Sequence, residues 1–247
     1  MRKNTAYIRE LIIFYGVSHI QLQDSNHPLM THPDTSDPIT EVAPDVYDLT
    51  LSDEPARYRS FLFDWGTPTL IDTGPHDTSQ KLLQRVESVG VAPERLLLTH
   101  TDHDHVGGYD AVLDKYSPET YVPVQSELQT EYGADHRYED EDTIGPFTAV
   151  HIPGHTQDNY ALIADGESIA VLGDAMIGAD WRGLPEGYLI MVEALYSDDL
   201  IEAERNAERL QEYEFDIGLV FHGSSVFEGA REKIDSFLDF PNKGTWD

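Results

Sequence analysis

No cysteine occurs anywhere in the 247-residue sequence. Disulfides, thiolate metal ligands and a cysteine nucleophile are therefore excluded. Basic residues are scarce too: 16 Lys and Arg, five of them Lys, stand against 46 Asp and Glu, a net charge of −30. Acid-rich, lysine-poor surfaces stay hydrated at high salt, so the balance is read as that of a halophilic, cytoplasmic protein. The acids are spread along the chain, which speaks against an acidic face built for one cationic partner. Acidity normally argues against nucleic-acid binding. At molar salt, where screening acts within about 3 Å, that objection weakens. No apolar run approaches the roughly 20 residues of a membrane span. The length suits one domain, or a large two-layer domain, with a substantial core.

Residues 1–29 stand apart. They hold three basic and two acidic residues, a charge of +1, leaving −31 on residues 30–247. Their apolar run, Leu11 to Tyr15, is too short for a signal-peptide core. Residues 1–38 are expected to be an N-terminal extension, disordered or produced by an upstream start codon, and residues 39–247 the folded domain.

Alternation and turn residues mark strands over 46–51, 58–63 and 69–72. A helix follows, with Asp77 as its cap, Gln80 three residues on, Leu82, Val86 and Val89 on its buried face, and Gly90 at its end. Strands are expected at 95–98 and 120–124, and short helices at 106–113 and 125–132. The second half repeats this order. Strands at 147–152, 160–164 and 168–172 precede a helix capped by Ser197, whose apolar stripe is Leu200, Ala203, Ala207 and Leu210. A strand at 217–221 and a helix at 226–240 close the chain.

The densest stretch is Thr99-His100-Thr101-Asp102-His103-Asp104-His105-Val106-Gly107-Gly108. An apolar strand runs straight into it, and imidazoles and carboxylates are the donors that borderline divalent metals take. Of eleven histidines, His19, His27 and His32 lie in the leader. His136 reads as a surface residue, and His76 and His151 as structural. His100, His105, His155 and His222 each fall at a strand end.

The spacing resembles the Thr-His-x-His-x-Asp-His-x-Gly-Gly signature of the metallo-β-lactamase superfamily. Leu70-Ile71-Asp72-Thr73-Gly74, Pro153-Gly154-His155-Thr156, Gly173-Asp174-Ala175 and Phe221-His222-Gly223 match its other motifs in order. The resemblance covers roughly residue 39 to the C-terminus. It implies an α/β (α+β) fold, a four-layer αββα sandwich with metals at one edge of the sheets. It also implies a metal-dependent hydrolase with two divalent ions, zinc first, iron or manganese as alternatives. His100, Asp102 and His155 would hold one ion. Asp104, His105 and His222 would hold the other, with Asp174 between them. Asp72 would order the ligand turn, or simply cap it, and His103 would point away. A shared hydroxide would be the nucleophile, oriented in part by Asp104.

Asp102 departs from the signature, which has histidine there. Three carboxylates then face two divalent ions and a hydroxide, so the cluster sums to zero instead of +1. That weakens Lewis acidity and shifts metal choice toward iron or manganese, or it weakens the first position altogether. A carboxylate here resembles the di-iron domain of flavodiiron proteins. Among substrates, a small ester, lactone or thioester leads. A phosphodiester in RNA or DNA is the alternative, and a redox di-iron or metal-poor protein a third. A glyoxalase-II-type thioesterase would carry a C-terminal helical domain, for which the 25 residues after His222 leave no room. Trp181, Tyr188 and Tyr196 are expected to wall the substrate side. Nothing in the sequence points to an oligomeric state.

Overall fold

The computed structural model describes residues 39–52 and 57–240. The expected extension, residues 1–38, lies outside them. The first sheet runs β1 (Ile39–Ala43), β2 (Val46–Leu49), β3 (Phe61–Phe63), β4 (Thr69–Ile71), β5 (Arg95–Leu97), β6 (Glu119–Pro123) and β7 (His136–Tyr138), each beside the next. The second contains β8 (Thr143–Ile144), β9 (Phe147–His151), β10 (Tyr160–Ala164), β11 (Ile169–Val171) and β14 (Ile217–Leu219), in the order β14-β11-β10-β9-β8. A small ribbon pairs β12 (Ile177–Gly178) with β13 (Leu189–Ile190). The helices are α1 (Ser79–Val89), α2 (His103–Val106), α3 (Tyr109–Tyr116), α4 (Leu200–Ala207) and α5 (Ala230–Leu238).

Strand alternation assigns the layers. On β3, Phe61 and Phe63 join the cluster that also holds Phe147, Tyr160, Leu162 and Phe221, so they fill the space between the sheets. Leu62 joins Leu70, Leu96, Leu82 and Val86 under α1. On β10, Leu162 and Ala164 face the first sheet, while Ala161 and Ile163 pack with Ala203, Ala207 and Ile234 of α4 and α5. Strands buried on both faces read as continuous apolar runs. Three apolar layers between two sheets and two helical faces are the αββα sandwich. The edge-to-face pair Phe61–Phe221, 5.3 Å between centroids, ties the sheets beside the site, worth about 0.5–1.5 kcal/mol beyond area burial.

Several expected boundaries moved. The helix expected at 106–113 is two pieces, broken at Gly107 and Gly108. A Cβ on Gly107 would lie 2.2 Å from His76 N, and one on Gly108 2.7 Å from Thr73 O. The pair is there so that the ligand turn can lie flat against the 72–76 turn. No helix forms over 125–132, because the Asp110 carboxylate takes the amides of Glu131 and Tyr132. Asp199, not Ser197, caps α4 by accepting from Ile201 N and Glu202 N. Asp77 caps nothing: it lies in a 3-10 turn that leads into α1. The last helix starts at Ala230 because Val226 pairs with Gly218 and Gly229 turns left-handed at φ 62°. His136 is exposed as expected, but it stands on an added parallel strand, β7.

Candidate metal centre

β4 and β5 run parallel, as do β11 and β14, and β9 shares the direction of β11 across antiparallel β10. The C-terminal ends of these five strands lead to Asp72, the His100 turn, His155, Asp174 and His222. Beyond a strand's last ladder bond, side chains are free to converge, which is why parallel strands carry sites at that end.

The convergence is tight. His100, Asp102 and His155 offer donor atoms within 4.8 Å of one another, and so do Asp104, His105 and His222. Asp174 lies between the groups. Its Oδ2 is 3.4 Å from His155 Nε2 and 3.4 Å from His222 Nε2, and its Oδ1 3.4 Å from His105 Nε2. Asp102 Oδ2 is 3.2 Å from His155 Nε2 and 4.0 Å from His100 Nε2. Asp104 Oδ2 is 3.5 Å from His222 Nε2. Asp102 occupies the residue before α2, where a carboxylate usually accepts helix amides. Here it makes no such bond and turns to the imidazoles. His103 is exposed. His76 and His151 stay outside the cluster: His76 Nδ1 faces Gly107 O, and His151 stacks on Tyr160.

Asp72 is fully buried with φ 55°, a left-handed conformation that Asp tolerates better than most residues. Its carboxylate accepts from Thr99 N at 2.7 Å and Thr99 Oγ1 at 2.6 Å, and meets His105 Nδ1 at 2.7 Å. With Nδ1 donating to Asp72, His105 Nε2 is turned toward Asp174. Asp72 thus hydrogen-bonds both the turn, through Thr99, and the ring of His105.

Electrostatics follow from the burial of four imidazoles among three carboxylates. Burial, aided by His105, pushes His100 down to about 4. Burial also opposes charge on His105, yet Asp174 and Asp72 outweigh it and hold its pKa well above the imidazole range. Asp174 is held far below the carboxylate range by His222 and His105, against the cost of its burial. A cation in this space would take the place of those shared protons.

The fit to a metal rests on unmet polar atoms. His100 Nε2, His105 Nε2, both His155 ring nitrogens and Asp174 Oδ1 are buried without a hydrogen-bonding partner of proper geometry. Buried polar atoms are nearly always paired. Several unpaired atoms converging on one space from different strands suit an ion, and the His/Asp groups are consistent with a dinuclear divalent centre.

Two features were not read from the sequence. Tyr58 packs edge-on against His222, 5.6 Å between centroids, and burial followed by Asp104 and Asp77 raises its phenol. It resembles any other strand residue until the sheets are stacked. Asp158 Oδ2 accepts from Thr101 N, Thr101 Oγ1 and Ser126 Oγ; its position three residues after His155 was the available signal. Of the expected wall, Trp181 lies 5.9 Å from His222 between ring centroids and donates to Glu193. Tyr188 and Tyr196 are 53% and 58% exposed. Among the described residues, no helix is long and apolar enough to cross a membrane.

A family model for the metallo-beta-lactamase superfamily matches residues 60–223. The chain belongs to that superfamily. It is 31% identical over 123 residues to a hydroxyacylglutathione hydrolase of Chromohalobacter salexigens, a match covering 48% of this chain and 46% of the relative. The chain thus spans about half the length of that curated relative. Its fold is similar to the flavodiiron protein from Giardia intestinalis, with TM-score 0.64 and 17% identity over 81% of this chain and 58% of that one. It is also similar to TTHA1623 in a di-iron-bound form, with TM-score 0.59 and 21% identity over 72% and 93%. At such identities the likeness is one of fold.

Proposed function

We propose that this protein is a metal-dependent hydrolase that activates water against a small ester, lactone or thioester. The observation that carries the reading is the set of buried, unpartnered atoms of His100, His105, His155 and Asp174, which converge from three strand ends. His100, Asp102 and His155 would hold one divalent ion and Asp104, His105 and His222 the other, with Asp174 facing both. Zinc leads, with iron or manganese favoured by the extra carboxylate. Such a pair of ions supplies Lewis acidity and brings the pKa of water from about 15.7 toward 7. Asp72 fixes the ring of His105. Asp104 reaches the centre from the first turn of α2 and can hold a proton-bearing oxygen there. Trp181 and Tyr58 flank His222 with apolar surface, which suits an acyl chain. The thioester arm draws support from the name of the sequence relatives.

Metal analysis of protein purified in molar salt, followed by turnover of p-nitrophenyl acetate, an acyl thioester and bis-p-nitrophenyl phosphate, tests this. We expect two ions per chain and faster turnover of the acyl substrates. A metal-free protein, or one faster on the phosphodiester, overturns the reading. A net charge of −30 leads us to place the protein in a salt-rich cytoplasm. Lowering salt from 1 M to 0.1 M lengthens screening from about 3 Å to about 10 Å, so the fold should lose stability; an unchanged melting temperature contradicts the halophilic assignment.

A further inference from the structure

Arg59 is one of the few cations in the chain and is almost completely buried, at 2% exposure. It precedes β3 in the first sheet, yet it acts on the second. Its Nε donates to Asp48 Oδ2 at 2.8 Å, and Asp48 Oδ1 accepts from Thr50 Oγ1 at 2.9 Å. One terminal nitrogen donates to Val220 O at 3.3 Å and also to Gly223 O. Those carbonyls bracket Phe221 and His222, the turn that follows β14. Burial pulls the guanidinium pKa down, and Asp48 counters it.

The turn has no slack. Gly223 is left-handed at φ 70°, and a Cβ there would lie 2.4 Å from Gly178 O. Gly178 N donates to His222 O, Val220 N to Ser225 Oγ, and Ser224 N to Asp180 Oδ1. These bonds hold the turn from its own half of the sandwich. Arg59 holds it from the other half, across 161 and 164 residues of sequence. A buried charge pair is an expensive way to gain stability, since an apolar pair of the same volume often does as well. What an apolar pair cannot do is donate to two carbonyls. A guanidinium presents its donors in a rigid fork, whereas a lysine presents one ammonium.

We propose that Arg59, set by Asp48, is a positioning residue that fixes the His222 imidazole toward Asp104 and Asp174. The inference rests on the metal-centre reading, because the imidazole is being aimed at an ion. Outer supports of metal ligands change affinity by roughly 10–100-fold, which sets the scale of the effect.

The decisive variants are Arg59→Lys and the double substitution Asp48→Leu with Arg59→Met, which replaces the ion pair by apolar volume and guards against a variant that merely fails to fold. Zn2+ is titrated into chelator-stripped full-length protein by calorimetry, with His222→Ala as the reference for losing the second ion. The expected result is two ions in the wild type. The variants keep the affinity for one ion and bind the other 10–100-fold more weakly, approaching the His222→Ala isotherm with folding intact. Unchanged affinity for both ions overturns the proposal, as does parallel weakening of both together with a lowered melting temperature, because that describes a purely structural pair. Amide exchange of the metal-free proteins gives a second arm that needs no ion. Gly178, Val220 and Ser224 should exchange at least tenfold faster in the variants while β10 amides stay unchanged, and equal rates refute the clamp. If the wild type binds no Zn2+, the functional reading fails, and the exchange arm alone decides whether Arg59 holds this turn.

Discussion

Asp72 and Asp158 hold the threonines on either side of His100 with the same grip. Each takes one threonine's amide and its hydroxyl: Thr99 at 2.7 and 2.6 Å for Asp72, Thr101 at 3.0 and 2.6 Å for Asp158. They differ in what else they hold. Asp72 reaches a site imidazole, His105, whereas Asp158 reaches the hydroxyl of Ser126. The two proposed half-sites inherit this difference. The His105 side is tethered at the donor itself, and its residues are buried or nearly so. The other side depends on Asp102, whose side chain is 41% exposed and carries no cap bond. One half is organised by the fold, and the other is completed by a more exposed carboxylate that no helix amide holds. A single ligand turn can thus be tethered at a donor ring at one end, the stiff half, and rest on one exposed carboxylate at the other, the soft half.

Removing the group common to both halves should have the largest effect. Asp174 lies 3.4 Å from three imidazoles, so Asp174→Ala should abolish binding of both ions and reduce hydrolysis by more than the roughly 100-fold that outer supports cost. Elemental analysis and turnover check it. Retention of one ion would mean that the halves are independent, and the shared role would be withdrawn.

Asp102 breaks the symmetry directly. Asp102→Ala should remove one ion and leave the other. Asp102→His raises the proposed cluster charge from zero to +1 and replaces a hard oxygen by an imidazole nitrogen. It should strengthen zinc relative to iron or manganese and favour anionic phosphodiesters over neutral esters. Competitive metal loading and paired assays read both effects. If both forms bind two ions with the same preference, the charge argument falls.

These residues were legible because each follows an apolar strand and sits in a fixed local pattern. The layers were legible for a similar reason: Phe61-Leu62-Phe63 and Tyr160 to Ala164 are apolar on both faces, which only a sheet covered on both sides requires. What escaped was non-local. Arg59 reads as one polar residue among Tyr58, Arg59 and Ser60, and its partners lie 161 and 164 residues away. Helix starts were misread at Asp77 and Ser197 because several residues nearby can cap, and tertiary position decides which of them does. The Asp110 grip on the 131–132 amides likewise cancelled a local helical preference that is weak in short segments.

Asp72 sharpens the comparison on its stiff side. Asp72→Asn retains an acceptor for Thr99 but loses the charge that sets the His105 ring. Affinity for the second ion should fall roughly 10–100-fold while the first is nearly unaffected. Calorimetric titration separates the two, and equal weakening of both ions would place Asp72 under the whole turn rather than under His105.

The smallest effect is expected at Asp158, and pH exposes it. Burial would raise its pKa, but hydrogen bonds from Thr101 and Ser126 outweigh burial and hold it below the carboxylate norm. A carboxyl depressed in the folded state stabilises the fold above its unfolded pKa of about 3.9, and that contribution disappears as pH falls through the lower folded value. At pH 7, Asp158→Asn should therefore be less stable than the wild type, because a neutral amide accepts less strongly than a carboxylate. The gap should start to close on acidification below about pH 4 and vanish as pH falls through the lower value at which the folded wild-type carboxyl takes up its proton. Because Asp158 holds Thr101 and no imidazole, the variant should bind both ions within a fewfold of the wild type. Denaturant melts at several pH values, with metal titration at neutral pH, test both parts. A pH-independent gap would show that Asp158 acts through shape instead of charge. A loss of metal affinity as large as that of Asp72→Asn would show that gripping the backbone beside His100 matters as much as tethering a ring, and the contrast between the stiff and soft halves would be lost.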